Sequence, residues 1–345
     1  MRAPDKNRYL NAVRHLETVE IPFQEDEIET TVAAKILGKP LPPVRPYEIP
    51  VADYVELNIR AGNDLVYLGH VWELGRKNYI DAEGRKHYVD GTMKTRESLR
   101  DVWYPDLGEY ERDIENILAA IDGTGLGFKY TATQAPFLVT TAVGYQDYYM
   151  ALYDDPQFIR DFQALLEDFC LRELEMALTY PIDVIQVSFI AFSKDGLVMS
   201  REHIEEFELP SLRRRVKMIR DAGKPVSLHI DGNFTEMLPD LIALGIDVVN
   251  PVEPCDGKQD IYRLKAQYGD RMAFHGNIDL AGVLVYGTPE EVARDTREHL
   301  DRLSPGGGYV AASSHNITEA VPLENFYAMR DTVHAYRRTD ARSPA

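Results

Sequence analysis

Cysteine is nearly absent from this chain: two occur in 345 residues. Cys170 falls in a helical pattern and Cys255 in a loop, so neither a disulfide framework nor a CxxC metal knuckle can be built. Positive charge is also scarce. Against 56 Asp and Glu stand 38 Lys and Arg, a formal charge of -18 that repels nucleic-acid phosphates and anionic lipid surfaces. No apolar run approaches the roughly 18 to 20 residues that span a bilayer, and the start, MRAPDKNRYLNAVRHLE, lacks a signal peptide's apolar middle. These absences predict a cytoplasmic protein with no nucleic-acid or membrane partner. A GxxxxGK[ST] phosphate loop is missing, and GTGLG at 123–127 lacks the GxGxxG spacing, which leaves it as a turn leading into a strand. What is present, 44% hydrophobic and 27% charged residues, is a globular composition, and the length allows one large α/β barrel or two ordinary domains.

Residues 1–50 carry a helical pattern around Tyr9, Leu10, Val13 and Leu16, then KPLPPVRPYEIP, too proline-dense for regular helix or central strand. This predicts an arm packed on the remainder. VELNIR, LVYLGHVW and FKYTAT are strand-like in composition. From Pro156 the pattern is regular. A helix to Leu178 repeats Phe158, Phe162, Leu165, Leu166 and Phe169 at helical spacing. Five short apolar strands, IDVIQVSFIA, KPVSLHI, IDVVNPV, MAFHGNI and GYVAAS, then alternate with helices at 201–221, 234–244, 258–268, 288–303 and 322–338. Strands apolar throughout, separated by amphipathic helices, are the pattern of parallel βαβ units. Adding the three upstream segments gives eight strands, the number of a closed (β/α)8 TIM barrel over residues 51–345 with the arm at 1–50.

Ionisable and amide side chains gather where those strands end. Lys194 and Asp195 follow the first of the five; His229, Asp231 and Asn233 follow the second; Asn250 and Glu253 the third; His275, Asn277 and Asp279 the fourth; His315 and Asn316 the fifth. In a parallel barrel these ends converge on one rim, where active sites of the fold are built. Asp231 and Asn233 also suit helix caps, and Asn277 and Asp279 suit turns. Imidazole is not selected for capping, so His229 and His315, with His275, carry the functional reading. The remaining histidines, His70 and His299 among them, read as surface or structural. His229 and Asp231, two apart, share one side of an extended strand. With His315 they form two imidazoles and a carboxylate, sufficient for a catalytic metal with an open position, zinc first. Without a metal the same groups offer bases near neutrality. Glu253, between Pro251 and Pro254, suits a general base or a further ligand. Cys255 suits either a thiolate ligand or a bystander thiol.

The text HIDGN, LGIDVVNPVEP, YGDRMAFHGNID, GTPEEV and PGGGYVAASSHNITEAVPLENFYAM, with SREHIEEFELPSLRRRV upstream, resembles the uroporphyrinogen decarboxylase superfamily from about residue 130 to the end. RYLNAVRHLETVEIPF is similar to the opening of its cobamide-dependent methyltransferase-like branch. The resemblance implies a (β/α)8 barrel. The decarboxylases carry an RQAGR segment that grips tetrapyrrole carboxylates; nothing here matches it, and NIRAGND offers only Arg60. The methyltransferase branch binds zinc through a His-x-Cys pair and a later Cys. His229 matches that histidine, whereas Asp231 and His315 occupy the cysteine positions, a harder and less electron-rich set. No DxHxxG corrinoid signature occurs, so a corrinoid would arrive on a carrier protein.

The expectation from these lines is a metal-dependent methyltransferase-like enzyme that moves a one-carbon group between a small molecule and a corrinoid protein or thiol. Its metal sits on His229, Asp231 and His315. Asp195, Glu253 and His275 are the catalytic candidates; Lys194, Asn233, Asn277, Asp279 and Asn316 are the substrate-binding ones. The alternatives are a cofactor-independent carboxy-lyase and a non-catalytic small-ligand barrel. Monomer and homodimer both remain open.

Overall fold

The computed structural model describes residues 1–338. Seven strands, β1 (Leu65–Gly69), β2 (Gly127–Thr131), β3 (Val184–Ser188), β4 (Val226–His229), β5 (Val248–Val252), β6 (Ala273–Gly276) and β7 (Tyr309–Val310), hydrogen-bond in chain order. Every pairing among them is parallel. Strand interiors such as Val184, Ile185, Val187, Val248 and Val249 are wholly buried, because barrel strands are covered by helices outside and by each other inside.

The eighth stave comes from the amino-terminal region. Phe23 bridges Ala311 in parallel, with Gln24 N–H donating to the Ala311 carbonyl and Ala311 N–H to that of Pro22. On the other flank Asp64 N–H donates to the Phe23 carbonyl, and Leu65 N–H donates to the Gln24 side chain at 2.8 Å. Residues 22–24 therefore close the sheet between β7 and β1. The VELNIR segment, expected as a strand, is instead part of the helix Val51–Ala61. Its Val, Leu and Ile alternate like a strand, but the buried residues, Tyr54, Val55, Leu57, Asn58 and Ala61, recur at helical spacing, and Gly62 at φ 89° terminates the helix in the left-handed conformation.

The helix Lys6–Val13, begun by the Asp5 carboxylate accepting from Asn7 N–H, plugs the barrel's lower end. Tyr9, Leu10, Ala12 and Val13 pack on Leu65, Val184, Val248, Ala273 and Val310, at or next to the first residues of their strands. Each large side chain so buried contributes about 1.5–3 kcal/mol. The expected helix 201–221 is divided by a π-helical turn at Ile204–Glu208 before Leu209–Asp221, because Pro210 has no N–H to return to the carbonyl four residues earlier. After β1 the chain forms an antiparallel hairpin, Arg76–Ile80 with Lys86–Gly91. It docks on the helix Ala135–Val143 through the Tyr88 hydroxyl on the Thr141 carbonyl at 2.9 Å. A side chain at Gly91 would stand 2.3 Å from the Ala142 carbonyl, so this seat requires glycine.

Candidate metal and substrate site

The carboxyl ends of the strands surround a cavity of about 350 Å³. Its floor is a polar layer inside the barrel. Lys129 in β2, wholly buried, donates to Asp26 at 2.6 Å, and Asn250 in β5 donates to the same carboxylate oxygen at 2.6 Å. Gln186 in β3 accepts from Asn250 and Ser227, each at 3.1 Å. Burial opposes ionisation of Asp26, but Lys129 and Asn250 hold its carboxyl below the usual range. The closing segment thus supplies acid groups as well as backbone. Glu25 accepts from the Ser313 N–H at 2.7 Å and hydroxyl at 2.6 Å, and burial pushes its carboxyl up to about 8.

Above the floor, His229 Nε2 and His315 Nε2 each stand 3.5 Å from Asp231 Oδ1. Strand β4 ends at His229, which is in register with Asn250 and Ser188, and this register aims the imidazole into the cavity. Burial alone would lower the His229 imidazole, but the Asp231 carboxylate outweighs it and the net shift is upward. The Asp231 carboxylate beside it raises His315 against its burial. Burial pushes Asp231 up, and the two imidazoles more than reverse this, holding it well below the carboxylate range. Glu253 lies beside them, its donor atom and those of Asp231 and His315 all within 4.8 Å of one another. Its Oε2 accepts from Gly232 N–H at 3.2 Å. Burial first and Asp231 second raise the Glu253 carboxyl.

Among the described residues, Asp231, Glu253 and His315 bring their donor atoms close enough together to fit a divalent metal, and His229 flanks Asp231 beside that group. Asp231 Oδ1 is buried with no hydrogen-bond partner among the described residues, although two imidazole nitrogens flank it. Ligand atoms on a tetrahedral zinc, about 2.0–2.1 Å from the ion, lie about 3.3–3.4 Å apart, close to the spacing of Asp231 from both histidines. Cys255 stands apart from this chemistry: burial pushes its thiol up to about 12, so it is not a thiolate near neutrality.

The other sequence candidates divide. Asn316 and His275 line the same cavity. His275 is buried, with Nε2–H donating to the Gln24 carbonyl at 2.7 Å, and burial followed by Lys129 pushes it down to about 4, so it is neutral at pH 7. Lys194 and Asp195 are exposed and absent from the cavity lining, paired with Asp256 at 2.6 Å and with Lys258. Asn233 accepts from Thr235 N–H at 3.1 Å and Asp279 from Ala281 N–H at 3.0 Å, both local turn bonds. Asn277 is buried with its Oδ1 3.1 Å from His299 Nε2. Sequence reasoning missed Glu25, Asp26, Glu27, Arg45, His70, Arg76, Lys129, Tyr145 and Gln186, all but Lys129 in the cavity lining. A signal existed for two: Lys129 and Gln186 interrupt otherwise apolar strands, and buried strands hold such residues only when they are paired.

Similarity to known proteins agrees with this architecture. A uroporphyrinogen decarboxylase of Azoarcus sp. (strain BH72) is 26% identical over 269 residues, 74% of this chain and 72% of the relative. One of Aromatoleum aromaticum is 32% identical over 152 residues, 43% of this chain, and the match spans only 41% of that relative's own length. A methylated-thiol–coenzyme M methyltransferase of Methanosarcina mazei is 28% identical over 239 residues, covering 66% and 60% of the two chains. Among solved structures, a methyltransferase from Methanosarcina mazei superposes with a TM-score of 0.72 at 17% identity over 96% of this chain and 99% of its own, a likeness of fold. The model for the family Uroporphyrinogen decarboxylase (URO-D) matches residues 131–336, more than half of the chain and all of the His–Asp–Glu rim, and the chain therefore belongs to that family.

Proposed function

We propose a metal-dependent enzyme, methyltransferase-like, that moves a one-carbon group between a small molecule and a thiol or a corrinoid on a carrier protein. The observation that carries it is Asp231 Oδ1, buried without a hydrogen-bond partner and flanked at 3.5 Å by His229 and His315. His229, Asp231 and His315 hold the ion in this reading, with Glu253 as a fourth donor or as the base. A divalent ion there supplies Lewis acidity to a substrate oxygen or sulfur. The nitrogen and oxygen donors form a harder set than thiolates would, which suits zinc and other borderline ions. Glu253, with its carboxyl raised, accepts a proton from an incoming thiol or hydroxyl near neutral pH. Neutral His275 and Asn316 orient the substrate. The methyltransferase relative supports methyl transfer as the reaction class.

The test is metal analysis of purified protein after zinc supplementation, with His229→Ala and His315→Ala alongside, followed by transfer assays from methylated donors to a thiol. About one zinc per chain, lost in both variants, is expected. No stoichiometric metal in the wild type removes the mechanism. A second reading, carboxy-lyase activity, is favoured by the Azoarcus relative's match across 74% of the chain. Turnover of uroporphyrinogen by the metal-free protein decides for it.

A further inference from the structure

The cavity holds a cation with unused hydrogen-bonding capacity as well as a metal-fitting cluster. Arg76 opens the docked hairpin that follows β1, and its side chain is only 12% exposed. Its Nε is buried with no hydrogen-bond partner among the described residues. The neighbouring carboxylate, Glu73, stands 3.9 Å from Nε, and the same Glu73 oxygen already accepts from Asn78 at 2.8 Å. The Tyr88 ring, 4.9 Å from the guanidinium carbon, offers a π face but no acceptor in the plane of the N–H fork.

Every acid around the cavity, by contrast, has its own counterpart. Glu25 is held by Ser313, Asp26 by Lys129 and Asn250, Asp231 by the two imidazoles and Glu253 by Gly232 N–H. Glu27 lies in the field of Arg45. A guanidinium left over in a largely enclosed space, with hydrogen-bonding capacity unused, is a site for an anion from outside the chain. Its place relative to the metal-fitting cluster is marked by Tyr145, which packs edge-on to Tyr88 with ring centroids 5.8 Å apart. Burial raises the Tyr145 hydroxyl most, the charge of Arg76 lowers it and that of Asp231 raises it. Arg76, Tyr145 and Asp231 all line the one cavity, and Tyr88 packs against both Arg76 and Tyr145 behind it.

We infer that Arg76 anchors a carboxylate of the substrate at the end of the cavity away from the His229–Asp231–His315 cluster, so that the substrate is a small carboxylic acid with an apolar or aromatic body. This rests on the reading of the cavity as the reacting site. One guanidinium with free N–H donors matches one negative charge, and its fork matches the two oxygens of a carboxylate; a phosphate dianion calls for a second cation. Phe137, Ile190, Tyr67 and Tyr145 in the lining suit the body of such a molecule. Thr131 and Ser188 lie within the same wall as Arg76 and supply hydroxyl donors. The hairpin's attachment to Thr141 and, through Arg85, to Glu319 at 2.6 Å holds the anchor in place before substrate arrives.

The experiment is calorimetric and saturation-transfer titration of the full chain with benzoate and, separately, with benzamide, on zinc-supplemented and chelator-treated protein. Benzoate is expected to bind the wild type at least about tenfold more tightly than benzamide. Arg76→Gln is expected to lose that preference, and Arg76→Lys to retain part of it. Chelation and His315→Ala are expected to leave it intact. Loss of metal binding with the benzoate preference retained would therefore sink the proposed mechanism and spare the anchor. Equal binding of benzoate by Arg76→Gln, equal binding of benzamide by the wild type, or no benzoate binding to the wild type overturns the anchor. The benzoate–benzamide comparison on the wild type stands even where Arg76→Gln does not fold.

Discussion

The two halves of the barrel are built and equipped differently. From β3 onward, strand and helix alternate with short connections, and each strand end delivers its side chains to the rim: His229, Asp231, Glu253 and His315 all come from this half. The first 130 residues supply a plugging helix, the closing segment 22–24, a long excursion between β1 and β2, and a hairpin. Their contributions to the cavity are Gln24 to Glu27, Arg45, Tyr47, Tyr67, His70 and Arg76. The family match begins at residue 131, so it covers the half that fits a metal and leaves out the half that brings most of the charged lining. The comparison teaches that the metal-fitting side chains sit on regular βα units, whereas most of the charged cavity lining comes from the irregular amino-terminal wall.

The sharpest way to break that division is Asp231→Ala. Removing the carboxylate between the two histidines should abolish zinc binding and lower turnover by about a hundred- to a thousandfold, the several kcal/mol that a Lewis acid contributes, while the melting temperature of metal-free protein changes little. A variant that turns over at the wild-type rate would move the chemistry elsewhere.

Next in size is Lys129→Met, which strands Asp26 without its buried partner. Breaking a buried pair costs about 3–5 kcal/mol, so thermal or denaturant unfolding should show a large loss. Lys129→Met with Asp26→Asn should recover much of it. Equal stability of the single and double variants would refute the pairing that joins the amino-terminal segment to β2.

Glu25 gives a smaller effect with a defined sign. Its carboxyl, raised by burial from 4.5 to about 8 in the folded chain, binds a proton there that the unfolded chain has released. Its contribution is therefore fully present below about pH 4.5, declines as pH rises through the interval to about 8, and is flat beyond. Across that window Glu25→Gln should lose less stability than the wild type, by a few kcal/mol at most, measured by urea unfolding at several pH values. A parallel pH dependence for both proteins removes Glu25 as the cause.

The smallest effect is expected at Lys194 and Asp195, whose exposed pairs with Asp256 and Lys258 lie outside the cavity lining. Asp195→Asn should change turnover less than twofold. A tenfold fall would bring that loop into the site and blur the boundary between the two kinds of wall.

Much of the regular half was legible because its signals are local. The helix Pro156–Leu178 coincides with its apolar repeat and its proline start, and buried parallel strands advertise themselves as short runs of Val, Ile and Leu. The rim histidines were legible because imidazole directly after such a run has few structural uses. The irregular half was not. VELNIR alternates like a strand and is a helix, because the faces that matter are set by which neighbours cover them. His70 reads as one more surface histidine, yet it lies in the cavity wall, 3.2 Å from the Tyr130 hydroxyl.

By itself the sequence determined the class of fold, the strand ends of the later half and the donor types that fit a metal, since periodicity and residue chemistry are properties of neighbours along the chain. Only the tertiary structure decided that residues 22–24 close the barrel, that Asp26 meets Lys129 across 103 positions of sequence, and that Arg76 Nε is buried without a hydrogen-bond partner among the described residues. Those outcomes depend on which distant groups the fold brings together and how far each is buried, which no pattern of neighbours along the chain encodes.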